Sequence, residues 1–180
     1  IFGINSRIQL AEAEKIMRKR INNAHMANGV TIINPENTYI DADARIERDT
    51  IIYSGVIIEG KTIIGEDCII GQNSRIVDSV IGNRVEIQIS TIIESKVDDD
   101  AHIGPYAYLR PNSEIGKNVK IGDFVEVKNA KIGENSKASH LAYIGDATVG
   151  KGVNISCGAI FVNYDGKNKH RTTVHDNAFI

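Results

Sequence analysis

Large aliphatic residues recur every six positions along most of this chain. The series runs Ile58, Ile64, Ile70, Ile76, then Val97, Ile103, Leu109, Ile115, Ile121, Val127, then Ile132, Ala138, Ile144, and ends Val149, Ile155. The next residue is often glycine, as at Gly65, Gly104, Gly122 and Gly145. The position four after the aliphatic is small or β-branched, as at Thr62, Ser74, Ser113, Val125, Ser136 and Thr148. Six is not a multiple of 3.6, so no helix keeps such a face in register. It is a multiple of two, so an extended chain that turns at fixed intervals does. Self-similarity at this period predicts an all-β fold, a parallel β-helix filled by stacked aliphatics. Steps shorten to five at Ile76–Ile81, around Ile92 and at Ile144–Val149, each removing one residue at a corner. The beat is expected to open near Ile40, Ile46 and Ile52, after a loop around Pro35.

Residues 8–28 follow another period. Ser6 and Gln9 have capping-box spacing, Leu10, Ala13, Met17, Ile21 and Ala24 form a helical stripe, and Asn28-Gly29 is a stop signal. This predicts one N-terminal α-helix, with Arg18-Lys19-Arg20 on a solvated face. At the other end the beat fails after Phe161. Strict continuation places Lys167 inside the coil, where an unpaired charge costs several kcal/mol. Residues 163–173 are therefore expected to leave as a loop that turns at Asp165-Gly166.

One coil of three hexapeptides is about 18 residues, so equivalent positions stack along the axis. Arg110 and Lys128 are 128 − 110 = 18 apart and are expected on one face. Parallel neighbours lie roughly 4.8 Å apart, close enough that two cations call for an anion beside them. His140, two after Ala138, points outward. With one shortened step ahead, its forward stacking partner is 140 + 17 = 157, or Cys157. Tyr143 ends the same hexapeptide and Asn154 ends the one before Cys157, so these side chains are expected along one groove. That geometry allows a site without naming its reaction.

Composition narrows the classes. A net charge of −2 gives no reason to invoke nucleic acid or a membrane surface, and no apolar run reaches the roughly 20 residues needed to span a bilayer. Two cysteines make no disulfide framework, so a reducing cytoplasm is the expected setting, with Cys68 an inward packing thiol. His102, His140 and His175 do not fall at whole-coil offsets, so a three-histidine zinc site is not expected.

Four segments carry a closer likeness: LRP at Leu109–Pro111, GDFVEVK at Gly122–Lys128, KASHLAYIGD at Lys137–Asp146 and NYDGKNK at Asn163–Lys169. They resemble the hexapeptide-repeat acyltransferases. Within these they are similar to the acetyltransferase part of the bacterial bifunctional uridyltransferase and acetyltransferase family that makes UDP-N-acetylglucosamine. The resemblance covers nearly the whole chain. It implies a left-handed β-helix, an exception to the usual right-handed crossover. It also implies acetyl transfer from acetyl-CoA to the amine of glucosamine 1-phosphate, in a homotrimer. His140 is then the general base. Arg110, Lys128, Tyr143, Asn154 and Lys169 bind the amino sugar phosphate. Cys157, Asn163 and Tyr164 meet acetyl-CoA, with Cys157 departing from the small alanine usual there. Asn5 matches a residue that helps hold the magnesium ion (Mg2+) of the uridyltransferase half. Residues 1–7 are then the tail of that half, 8–28 a linker helix, and 29–180 a β-helix expected to be truncated at its C-terminus. The alternative is a solenoid that only trimerises and does no chemistry.

Overall fold

Alternating side chains stay buried on one side only if the chain keeps bending around what they bury, and here it bends three times per coil. The computed structural model describes residues 3–180. It is a left-handed parallel β-helix of about seven turns with one helix at its N-terminal end. The inward residues form three continuous ladders. The first runs Ile32, Ile52, Ile70, Ile87, Ile103, Ile121, Ala138, Ile155. The second runs Ile40, Ile58, Ile76, Ile92, Leu109, Val127, Ile144. The third runs Ile46, Ile64, Ile81, Val97, Ile115, Ile132, Val149 and ends at Val174. From Ile52 to Ile155 every ladder residue is buried, each Ile, Leu or Val among them worth roughly 1.5–3 kcal/mol relative to exposure.

The coil length drifts as the shortened steps require. Partners lie 18 apart at Ile52–Ile70, 16 at Ile76–Ile92 and 17 at Ile121–Ala138. The small position after each ladder residue faces inward too. Where it is Ser or Thr, its hydroxyl mostly caps a corner carbonyl, as Thr50 Oγ1 donates to Gly65 O at 2.8 Å and Ser113 Oγ to Arg110 O at 2.6 Å, while Ser74 Oγ accepts from Ser90 N–H. Among the described residues no hydroxyl is thereby buried unpaired. Thr148 is a correction. Because the step from Ile144 to Val149 is one residue short, Ala147 takes the inward place and Thr148 turns out.

Two of the three corner columns hold their left-handed residue mostly as Asn or Asp, for example Asp100, Asn118 and Asn135, or Asn112, Asn129 and Asp146. These are the side chains that tolerate positive φ. The corner between the first and second faces differs. It holds Ile89, Tyr106, Phe124 and Leu141 at φ of 38 to 58°, a conformation costing roughly 1–2 kcal/mol for a bulky residue. The Tyr106 and Phe124 rings stack outside it, centroids 5.4 Å apart.

The ends differ from expectation in detail. The solenoid opens at Thr31–Ile32, earlier than the Ile40 start read from the beat, because a short 3-10 turn at Pro35–Asn37 stretches the first repeat to 20 residues and hides it. The helix, α1, spans Arg7–Ala27, capped by the Ser6 side chain accepting from Gln9 N–H. Its expected stripe is only half used: Leu10 and Met17 are about half exposed, while Ile21 and Met26 pack on the solenoid. The contact is made instead through Asn22, fully buried, whose Nδ2 donates to Pro35 O and Thr38 O. Arg18 lies over the Tyr39 ring at 4.5 Å. After Phe161 the chain leaves the coil as expected and rejoins it at Thr172–Val174, a return 174 − 149 = 25 residues long at the third ladder. Cys68 is buried, its Sγ donating to Gly82 O at 3.1 Å, and burial pushes the thiol up.

Candidate active site

Two strands in consecutive coils, Lys120–Lys128 and Lys137–Gly145, each run unbroken through the strained corner and pair along their whole length. That continuity sets Asp123 directly beside His140. Their side chains meet outside the corner with Oδ1 and Nδ1 2.6 Å apart, and the hydrogen bond from His140 holds the Asp123 carboxyl below the usual carboxylate range. Gly122 permits the close approach, since a Cβ there would overlap the Ser139 carbonyl of the next coil. Both members are partly exposed, and each is followed by a bulky residue of the strained corner, Phe124 and Leu141.

From the dyad the second face carries an outward column, Tyr108, Glu126, Tyr143 and Ile160. Arg110 follows Tyr108 by two residues and is held by Glu126, Nη1 to Oε1 2.7 Å, which raises its already high pKa. Arg110 and Lys128 share one register step, as their spacing predicted. Gly145 stands in the coil after Lys128, and a Cβ there would overlap the Tyr143 hydroxyl, so the glycine lets that ring lie along the strand. At the far edge of the face Arg110, Lys128 and Lys169 line an open cleft of about 320 Å³ with Asn129 and Asp146. The loop brings Lys169 there and also Asn163, whose Nδ2 donates to Asp146 Oδ2 at 2.5 Å and to the Tyr143 hydroxyl at 3.4 Å.

The structure thus brings together Arg110, Lys128, Lys169, Tyr143 and Asn163, with His140 at the opposite end of the same face. It does not draw in the others. Asn154 stands beside Lys137 on the first face, without a side-chain hydrogen bond among the described residues. Cys157 is an exposed free thiol in the turn one coil beyond His140. The Tyr164 hydroxyl donates to Gly166 O within its own loop. Asn5 precedes α1, exposed, its N–H donating to Gln9 Oε1. Sequence reasoning missed Asp123, Glu126, Asn129 and Asp146. The signal existed: subtracting 17 from 140 and 143 gives 123 and 126, but the count ran only forward, to Cys157.

Among the described residues no cluster of three or more His, Cys, Asp or Glu could hold a metal ion, and no helix is long and apolar enough to cross a membrane.

A profile for the bacterial transferase hexapeptide (six repeats) matches residues 43–77, and one for the GMPPB C-terminal domain matches residues 93–164. A bifunctional protein GlmU of Clostridioides difficile is 64% identical over 180 residues, covering all of this chain and 39% of the relative. The chain belongs to the hexapeptide transferases. A second relative, a bifunctional protein GlmU of Alkaliphilus oremlandii, is 69% identical, over all of this chain and 40% of its own length. The chain therefore spans about two-fifths of the curated relatives it matches. Among solved structures, the UDP-N-acetylglucosamine acyltransferase of Francisella novicida is 20% identical with a TM-score of 0.45, over 80% of this chain and 67% of that one.

Proposed function

We propose that this chain carries an acetyltransferase site that moves an acetyl group from acetyl-CoA to the amine of glucosamine 1-phosphate, giving N-acetylglucosamine 1-phosphate for UDP-N-acetylglucosamine synthesis. The observation that carries the reading is one outward face with the His140–Asp123 pair at one edge and three cations at the other. A sugar phosphate is bipolar in the same sense: its phosphate seeks Arg110, Lys128 and Lys169, and its amine then lies towards the imidazole. The bifunctional GlmU relatives, 64% and 69% identical over the whole of this chain, support the same reading.

An ammonium has no lone pair, so the amine loses a proton before or as it attacks. The Asp123 carboxylate at Nδ1 favours the tautomer that carries its proton there and leaves the Nε2 lone pair outward as the base. The amine nitrogen then bonds to the thioester carbonyl carbon. Of the ammonium's two protons lost, one leaves to solvent before attack and the second passes from the nitrogen to Nε2 as the carbon–nitrogen bond forms. When the tetrahedral intermediate collapses, the carbon–sulfur bond breaks and the leaving thiolate takes up that second proton from the imidazolium. Asp123 stabilises that imidazolium while it exists, without itself accepting the proton. Tyr143 orients the sugar and Asn163 faces the coenzyme. The family resemblance adds Asn154 to the sugar and Tyr164 and Cys157 to the coenzyme, although within one copy these three lie outside the cluster. We further read residues 1–7 as the tail of a uridyltransferase domain, 8–28 as the linker and 29–180 as the acetyltransferase β-helix, in a cytoplasmic homotrimer. The exposed Phe124 and Leu141 beside the dyad support a neighbouring copy closing the site. Asn5 alone does not fit magnesium, which takes near-octahedral oxygen ligands, and the acetyl transfer runs without it.

The test is coenzyme A release from acetyl-CoA by the complete protein, with and without glucosamine 1-phosphate. Release is expected to require the amino sugar and to fall roughly 100-fold or more in His140→Ala. Unchanged release in the variant removes His140 as base, and no release from the unaltered protein leaves a scaffold.

A further inference from the structure

We propose that Asp146 is the positioning residue of this site, the anchor that holds the loop bearing Asn163 and Lys169 against the corner bearing Lys128. The inference rests on the sugar-phosphate reading of the cleft. Four observations converge on this side chain. Asp146 is only 7% exposed although it is a carboxylate lining a cleft. Its two oxygens are divided between two separate segments: Asn129 Nδ2 donates to Oδ1 and Asn163 Nδ2 to Oδ2, each at 2.5 Å. Its backbone ties the same pieces, N–H donating to Lys128 O and the carbonyl accepting from Thr172 N–H, both at 3.0 Å. Finally, the hydrogen bond from Asn129, then that from Asn163, then the nearby Lys128 and Lys169 hold its carboxyl below the usual range.

Loop departure at Asn163 and loop return at Thr172 are thus fastened to one residue. The excursion between them has no ladder residue inside the coil to fix it. Its other ties are Arg171, whose guanidinium donates to Thr148 Oγ1, Ala147 O and Asn129 O, and the internal turn at Asp165. The Asp146–Asn163 bond is the tie that fixes the departing end of the loop, and with it where Lys169, bridged to Tyr164, stands relative to Arg110 and Lys128. The carboxylate also lies among cations that repel one another in the empty cleft. Asp146 touches no reacting atom. It acts on substrate binding through Asn163 and the loop.

The arrangement makes an exchange experiment decisive. Asp146→Asn points an amide donor at one of two amide donors, and Asn163→Asp points one carboxylate at another. The double variant restores both bonds, because Asn at 146 accepts from Asn129 through its oxygen and donates to Asp at 163 through its nitrogen. In the complete protein each single variant is expected to raise KM for glucosamine 1-phosphate about tenfold, as the loss of one buried charge-assisted bond implies. In Asp146→Asn kcat is expected to stay within about threefold, KM for acetyl-CoA to rise less than that for the sugar as Asn163 and Tyr164 shift with the loop, and the double variant to recover most of the loss. A second readout needs no activity. Trypsin cleavage after Lys167, Lys169 or Arg171 should quicken about tenfold in the single variants and return towards the unaltered rate in the exchange. Unchanged KM and cleavage in the single variants, or no recovery in the exchange, overturns the proposal. If the unaltered protein shows no sugar-dependent release while cleavage follows the predicted pattern, the anchor stands and the sugar-phosphate reading falls.

Discussion

The first coils and the last share an interior and differ outside. Between Ile52 and Ile103 the outward columns carry Ile57, Ile63, Ile69 and Val80, and strands are two or three residues long. Between Ile121 and Ile155 the buried ladder is hardly altered. Outside it, however, stand Asp123, Glu126, Lys128, His140 and Tyr143, and two strands lengthen to nine residues through a strained corner. The contrast teaches that inner ladder and outer columns answer to different demands. The ladder sets the shape through volume and apolarity, which leaves every second residue free for chemistry.

Substitutions can break that separation. The largest effect is expected inside: Ile121→Ala, in the fully buried ladder beneath Asp123, should cost about 2–5 kcal/mol in chemical denaturation. Ile63→Thr, outward in the early coils and 40% exposed, should stay within about 0.5 kcal/mol. Equal costs would erase the distinction. A smaller effect belongs to the excursion. Asp165 accepts N–H groups of Asn168 and Lys167 and a contact from His170, and its pKa is lowered to about 2. A depressed carboxyl contributes fully above the ordinary aspartate value of roughly 3.9 and is lost as pH falls through the folded value. The amide NMR signals of Lys167 and Asn168 should therefore inflect near pH 2, and an inflection near 4 would show the turn is not formed. A small effect is also expected for Leu141→Gly. Relief of a left-handed leucine, roughly 1–2 kcal/mol, is nearly offset by about 0.5–1 kcal/mol of glycine backbone entropy, so thermal stability should rise by less than about 1 kcal/mol.

The ladder was legible because burial repeats: Ile58, Ile64 and Ile70 identify the period with no partner known. So were the stacked Arg110 and Lys128, since one addition yields their register, and the departure at Lys167, since a charge cannot sit among isoleucines. The opening at Ile32 was not, because Pro35–Asn37 breaks the count before it starts. The helix stripe misled because it assumed an apolar seam, whereas α1 docks through Asn22 and its carbonyl partners. Asp123 and Asp146 escaped for another reason. Their roles come from neighbours one coil away, Asp123 with His140, Asp146 with Asn129 and Asn163, and nothing in the residues beside them in sequence announces either.

The uneven coil length carries a consequence for how such a chain can change. Between the first coil and the excursion, register partners stand 16, 17 or 18 residues apart, yet the ladders stay continuous, because every missing residue comes out of a corner. A single-residue deletion is then nearly silent at a vertex, but within a strand it turns each downstream side chain of that strand to the opposite surface. The solenoid behaves as text with elastic spaces between rigid words. Lineages can gain or lose letters at the vertices, or insert a whole clause as after Phe161, while each word keeps its inside and its outside.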